Sequence, residues 1–313
     1  GDVWYYKYGQ YQISEIISNT SINRNIDVKL WGTEASLQWA HDPHWACNFG
    51  VDYTHSGIDN GVTAVDPRNP GAGDPNALVI KDGQLSTTNA QNCVYYYKGD
   101  GIASSGNIDT DFAALHAALP TVFFAPPGGM HHLNGAGVPN VAYGSCFAGT
   151  DPSNPFYGLS VKNPATVGAL MAAYGFHTDD ASTGGSLTGE PLSLKGNHLA
   201  NTPTWALSFG AQYSADVFDG FTLVPRVDVY WHGTMWGRIF KDAADKIKSG
   251  TEVNAQITLN SPDNVWYAQA FVKNLFDKDN ITGEYLTSSS SGLWTGTFYA
   301  DPRTFGVAVG ARF

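Results

Sequence analysis

The sequence predicts an all-β fold, an antiparallel transmembrane β-barrel, on three observations. The closing stretch RTFGVAVGARF, residues 303–313, has a period of two: Phe305, Val307, Val309, Ala311 and Phe313 alternate with Thr304, Gly306, Ala308, Gly310 and Arg312. One face suits hydrocarbon, the other carries only small or polar groups, and the stretch stops on a bare aromatic. Similar segments recur along the chain, joined alternately by tight turns and long loops, which is the layout of an outer-membrane barrel. The composition agrees, with 35 Gly, 16 Tyr, 16 Phe and 9 Trp among 313 residues and only 14% charged.

The mean hydropathy of -0.21 is that of many soluble chains. Barrel strands reach the same average because only alternate residues meet lipid. No apolar run approaches the roughly 20 residues that a spanning helix needs, and residues 167–176 are among the longest candidates. A formal net charge of -11, without any basic cluster, argues against a nucleic-acid partner. The start, GDVWYY, has neither a methionine nor a basic segment followed by an apolar one. Gly1 is therefore read as an internal cut, a processed end or the start of the interpretable part of a longer chain.

In order, residues 3–12 form an aromatic strand with Trp4, Tyr5, Tyr6, Tyr8 and Tyr11, followed by a polar loop rich in Asn and Ser. Residues 26–40 alternate Trp31, Thr33, Ala35, Leu37 and Trp39 with Gly32, Glu34, Ser36 and Gln38. The turn HDPH, residues 41–44, is short enough to join antiparallel neighbours. Residues 45–54 then place Trp45, Cys47, Phe49, Val51 and Tyr53 opposite Ala46, Asn48, Gly50 and Asp52. Tryptophans at the strand ends read as an interfacial girdle.

From residue 55 to 203 the alternation dissolves into Gly, Pro, Asn, Ser and Asp, a very long loop of the kind that is functional or disordered. Two short helices are expected in it, one from the Asp109-Thr110-Asp111 start to Pro120 and one from Asn163-Pro164 to the Gly175 stop. Cys93 and Cys146 are expected to form a disulfide, closing a loop of about 50 residues and stabilising it by roughly 4 kcal/mol in the chain-entropy model. Cys47 is left as a lipid-facing apolar residue.

Alternation returns at residues 205–214, continues through 221–232 after the turn at 216–220, and reappears at 253–259 and 266–276. A lysine-bearing loop at 237–250, the turn SPDN and a Ser-rich loop at 287–292 separate these segments. The count is about eight strands.

Two segments resemble a known family. FVKNLFDKDN, residues 271–280, followed by DPRTFGVAVGARF, resembles the C-terminal end of TonB-dependent outer-membrane transporters. LKGNHLANTPTWALSFGAQY and LWGTEASLQW resemble other strands of that family. The resemblance implies roughly the last eight strands of a barrel of about 22. It further implies a plug domain not contained in these residues, a TonB-type periplasmic partner, surrounding outer-membrane lipid and the barrel-assembly machinery, for which Phe313 would be the signal. Phe313→Ser is expected to impair assembly. The implied location is the outer membrane of a Gram-negative bacterium. The implied cargo is a scarce small-molecule solute: an iron-siderophore complex first, with a cobalamin, a saccharide or an aromatic compound as alternatives.

The resemblance implies that the last strand descends to the periplasm, which would place the loops at 55–203, 237–250 and 277–302 outside and the three tight turns inside. The long loop would then meet the ligand first. Tyr95, Tyr96, Tyr97, Phe123, Phe124, His131, His132, Tyr143 and Tyr157 either stack on that ligand or pack the loop against itself. His131 and His132 are adjacent and without ligand-spaced partners, so no metal site is read from them. Glu34, Asp52, Arg226, Asp228, His232 and Lys273 are expected to face the lumen, hydrating it or bonding to the plug. No catalytic motif and no cofactor motif is found. A passive porin or surface adhesin, and a secreted carbohydrate-binding β-sandwich, are the rival readings.

Overall fold

The computed structural model describes residues 1–17, 20–59, 61–82, 93–118, 123–124, 140–144, 169–177, 189–287 and 294–311. In chain order its main elements are β1 (Asp2–Ile17), β2 (Thr20–Ala40) and β3 (Trp45–Ile58), then β4 (Ala77–Asp82), β5 (Cys93–Tyr97), α1 (Ile108–Ala118), β6 (Phe123–Phe124), β7 (Asn140–Gly144), α2 (Ala169–Ala173) and β8 (Phe176–His177). They continue as β9 (Trp205–Tyr213), β10 (Thr222–His232), β11 (Gly250–Asn260), β12 (Trp266–Lys273), β13 (Ile281–Leu286), β14 (Thr295–Tyr299) and β15 (Thr304–Ala311). No described helix is long and apolar enough to cross a membrane.

Eight of these strands run as one antiparallel meander in the order β1-β2-β3-β9-β10-β11-β12-β15. Among the described residues β1 and β15 are not paired with each other, so the sheet is a wall with two edges. The turns after β2, β9 and β11 lie at one end of the sheet, and the long connections after β3, β10 and β12 lie at the other, as does the close of the β1–β2 hairpin.

Period-two alternation fixes the register, because a slip by one residue would turn every side chain to the wrong face. Leu207, Phe209 and Ala211 of β9 stand opposite Val51, Phe49 and Cys47 of β3 and opposite Trp231, Val229 and Val227 of β10. On this outward face the apolar side chains are bare, as Phe305, Val307 and Val309 show at 76%, 82% and 80% exposure. Aromatic contacts border it at both ends. Tyr53 lies 5.3 Å from Trp31 and 4.8 Å from Trp205, while Trp45 lies 4.8 Å from Tyr213. Trp31 and Trp39 are eight residues apart on β2. At about 3.3 Å per residue and a tilt near 40°, that spacing spans roughly 20 Å, close to the ~25 Å apolar band of an outer-membrane wall.

The inward face is polar along its middle. Arg226 Nε and Nη2 donate to Asp228 at 2.8 and 2.5 Å, Nη2 also donates to Asn48 at 2.9 Å, and Nη1 donates to Gln212 at 3.2 Å. One guanidinium thus ties β3, β9 and β10 together. Toward β15 the same face is built from aromatic rings lying on glycines. Phe271 is paired with Gly306 and Tyr267 with Gly310. A Cβ on Gly310 would come within 2.4 Å of the Tyr267 ring.

Two features depart from the sequence reading. The polar stretch expected as a loop after residue 12 instead continues β1 and β2 as a tall hairpin, paired down to Ile17 and Thr20. This hairpin top stands beyond the aromatic border, where strands pair without an apolar stripe. The segment read as patternless carries a five-stranded sheet of its own, in the order β6-β7-β4-β5-β8, with β4 and β7 parallel. Its core joins Leu78, Ile80, Tyr95, Phe112, Leu115 and Met171 with Phe176. Helix α1 starts where Asn107 Oδ1 accepts from Thr110 N at 3.0 Å, and α2 is followed by Gly175 at φ 83, a left-handed backbone suited to glycine.

Candidate functional site

The three long connections are bound to each other by a buried charge network over the inward side of the sheet. Asp66 follows β3, Arg238, Asp242 and Asp245 follow β10, and Glu284 and Thr295 belong to the β13–β14 hairpin. Arg238 Nη1 and Nη2 donate to the two oxygens of Asp66 at 2.7 and 3.2 Å, and Nε donates to Asp245 at 2.8 Å. Nη2 also reaches Asp242 at 3.4 Å. Arg68 Nη1 donates to Asp245 at 2.5 Å and its Nη2 donates to Thr295 Oγ1. Asp66 and Asp245 are fully buried, each compensated by guanidinium donors.

Charge is unevenly shared in this network. Burial opposes ionisation of Asp66, but hydrogen bonds with Arg238 and Asp242, and the Arg238 charge, hold its pKa below the ordinary carboxylate value. Burial, then the hydrogen bond to Asp66 and its negative charge, push Asp242 up to about 7. Below about pH 7 Asp242 therefore carries the proton of the pair. Burial and the charge of Asp245 raise Glu284, against the pull of Arg68 and Arg238.

Beneath the network the loops close on the inner face of β1–β3. Ile26, Val28 and Ile58 of the sheet pack with Leu194, Leu199 and Ile239 of the connections. Between this cluster and the β13–β14 hairpin lies a cavity of about 370 Å³, lined by residues that include Tyr11, Ile13, Leu199, Phe240, Glu284 and Tyr285. That volume and its mostly apolar wall with few polar groups are those of a small-molecule site. Gly237 keeps it open toward Glu284, since a Cβ there would lie 2.8 Å from Glu284 Oε2.

No protein-family model matches the chain, and no curated protein sequence matches it. Among solved structures it is similar to the ferric yersiniabactin uptake receptor FyuA from Yersinia pestis, at 10% identity and a TM-score of 0.46 over 97% of this chain and 26% of that one. It is similar also to the siderophore receptor PiuA from Acinetobacter baumannii, at 11% identity and a TM-score of 0.42 over 98% and 24%. The ferric citrate transporter FecA gives 12% identity and a TM-score of 0.32 over 91% and 32%. The chain spans a quarter to a third of their length, 26%, 24% and 32%. At identities this low the fold is argued from the register of the sheet itself.

The residues singled out in the sequence distribute as follows. Glu34 stands opposite Asp52 across β2 and β3, Arg226 and Asp228 are hydrogen-bonded, and Lys273 stands opposite Thr304. His232 Nδ1 lies 2.9 Å from the Gly233 carbonyl oxygen. All six belong to the inward face, spread across it rather than gathered into one cluster. Tyr95 is corrected as a ligand candidate: it is 4% exposed within the core of the small sheet. Tyr97 donates its hydroxyl to Asp111 at 2.5 Å and packs 5.1 Å from Phe176, so its ring also serves that core. Tyr96 is half-buried on β5 between them. Phe124 pairs with Tyr143 and Phe123 with Gly144 through the backbone. His131, His132, Tyr157, Phe313 and Cys146 lie outside the described residues, as does the side chain of Cys93. Cys47 is a free thiol. No described group of three or more His, Cys, Asp or Glu is placed to hold a metal ion.

The cavity was not legible in the sequence. Its wall comes from five separated segments.

Proposed function

We propose that this chain is part of the wall of a TonB-dependent transporter in the outer membrane of a Gram-negative bacterium, and that its linked loops receive a small solute on the way to the lumen. The observation that carries the reading is the two-faced meander. A bare apolar face bordered by aromatics is combined with a polar inner face over which all three long connections fold. Lipid would cover the first face, and a plug domain would lie against the second, where Arg226, Asp228 and Glu34 offer it charged and polar groups. The two open edges of the sheet would continue into further strands of the barrel. A periplasmic TonB-type partner would supply the energy that displaces the plug, and the barrel-assembly machinery would insert the wall. Among the cargoes that the resemblance implies, an iron-siderophore complex stands first.

The test is energy dependence of uptake. Cells making the native polypeptide are compared with a null strain for the solutes they deplete from the medium, by mass spectrometry, with and without a protonophore. Depletion that the protonophore abolishes supports active transport. Depletion that persists would instead make the chain a passive pore, and none at all would point to a surface adhesin.

A further inference from the structure

We propose that the cavity beneath the three loops is a subsite for a cationic hydrogen-bond donor, an ammonium or guanidinium group carried on an apolar or aromatic body, and that the Glu284 carboxylate receives it. This rests on the reading of the loops as the receiving face of a transporter and names the chemistry of what they receive.

Two charged side chains line the cavity, Arg238 and Glu284. Arg238 is already matched by acidic partners. Each nitrogen of its guanidinium already meets a carboxylate: Nε on Asp245, Nη1 on Asp66, and Nη2 on Asp66 and Asp242. Glu284 is in the opposite condition. Its Oε2 has no hydrogen-bond partner among the described residues and is closed off where it stands, so a solute meets it once the half-buried side chain turns toward the cavity. An acceptor in that state costs free energy that an incoming donor would recover.

The surroundings select the sign of that donor. Asp66, Asp242, Asp245 and Glu284 bring four carboxyls against the two guanidiniums of Arg68 and Arg238. With Glu284 ionised, the network has an unmatched negative charge even with one proton shared by Asp66 and Asp242, and the chain as a whole carries -11. The remaining wall supplies the rings of Tyr11 and Tyr285, which attract a cation over their faces and shelter an apolar body, and that of Phe240, over which the Arg238 guanidinium already lies at 5.3 Å. A carboxylate-bearing solute would find here only neutral side-chain donors, from Tyr11, Gln12 and Tyr285, and a repelling field. The subsite therefore favours one end of a cargo, since about 370 Å³ accommodates a fragment rather than the whole of a large complex.

The full-length native protein in detergent is titrated calorimetrically at about pH 8, where benzylammonium and the carboxylates are both charged. Three probes of one shape are used: benzylammonium, benzyl alcohol and benzoate. Benzylammonium is expected to bind about tenfold or more tightly than the other two, the discrimination that a charged hydrogen bond supplies. Glu284→Gln should weaken benzylammonium by about tenfold and leave benzyl alcohol unchanged, with Glu284→Asp retaining part of the preference. Benzoate binding as tightly as benzylammonium, or an unaltered benzylammonium affinity in a folded Glu284→Gln variant, would overturn the assignment. If that variant fails to fold, the order of the three probes on the native protein decides alone. Equal binding of the probes together with protonophore-sensitive depletion overturns the subsite and leaves active transport standing. A clear benzylammonium preference with protonophore-insensitive depletion sustains the subsite and removes the energy coupling.

Discussion

Arg238 closes on Asp66 through two parallel hydrogen bonds of 2.7 and 3.2 Å, across 172 residues of chain. This contact joins the connection after β3 to the one after β10, and Asp245 extends it through Arg68 to Thr295 in the third connection. The position of all three loops therefore depends on two guanidiniums, Arg238 and Arg68, of which Arg238 makes the larger number of bonds. Arg238→Ala leaves Asp66 and Asp245 buried without their main donor, and the loss of one partner of a buried pair costs about 3–5 kcal/mol. Limited proteolysis should then cut within residues 61–76 and 233–249 well before the sheet unfolds, while the strands keep their circular dichroism. Unchanged protease resistance in that variant would show that the loops are held by their apolar cluster alone.

The same network sets a pH dependence. Asp242 is raised to about 7 from an ordinary 3.8, so between these values the folded chain holds a proton that the unfolded chain releases. Its contribution to stability therefore falls as pH rises through that window. Asp66 and Asp111 are held below the ordinary value, and their contributions are present above about pH 4 and are lost as pH falls through their folded pKa values. Denaturant unfolding of Asp242→Asn should lose the decline between about pH 4 and 7 and keep the acid limb. A variant whose profile in that window matches the native one would place the titration elsewhere.

On the inner face, Tyr267 over Gly310 leaves no room for a methyl group. Gly310→Ala should destabilise the sheet by about 1–3 kcal/mol through overpacking. Combining it with Tyr267→Ala should recover part of that loss, a coupling readable in a double-mutant cycle of unfolding in detergent. Strict additivity would mean that the ring moves aside freely.

How much of this was readable beforehand depends on where a residue sits. Between the aromatic borders each residue has one of two environments, so Leu207, Phe209 and Ala211 announce a strand and its outward face at once. Beyond the borders that constraint lapses. The top of the β1–β2 hairpin, from Ile13 upward, is paired without an apolar stripe and reads as a polar loop. In the segment after β3, the run Ala77-Leu78-Val79-Ile80 is apolar on both faces because both are buried, so it shows no alternation. That apolar run was the available signal for an independent core. The NLFD motif was visible as a motif, and its physical role emerges only in three dimensions. Asn274, left-handed at φ 49, donates its side-chain amide to the carbonyls of Lys278 and Asp301 and receives the backbone N–H of Lys278. The cavity needed the fold itself, since its residues share no pattern along the chain.

The central claim is that one face of this sheet meets lipid and the other meets water. It is tested most directly on β9, which is paired on both sides, by nitroxide labels placed singly at residues 207 to 211 of the native protein in bilayers. The account predicts a period of two in collision rates. Labels at Leu207, Phe209 and Ala211 should collide with oxygen and not with a water-soluble nickel chelate, and those at Ser208 and Gly210 should show the reverse preference. Equal access of the chelate to all five positions would contradict it and return the chain to the class of water-soluble β-sheets.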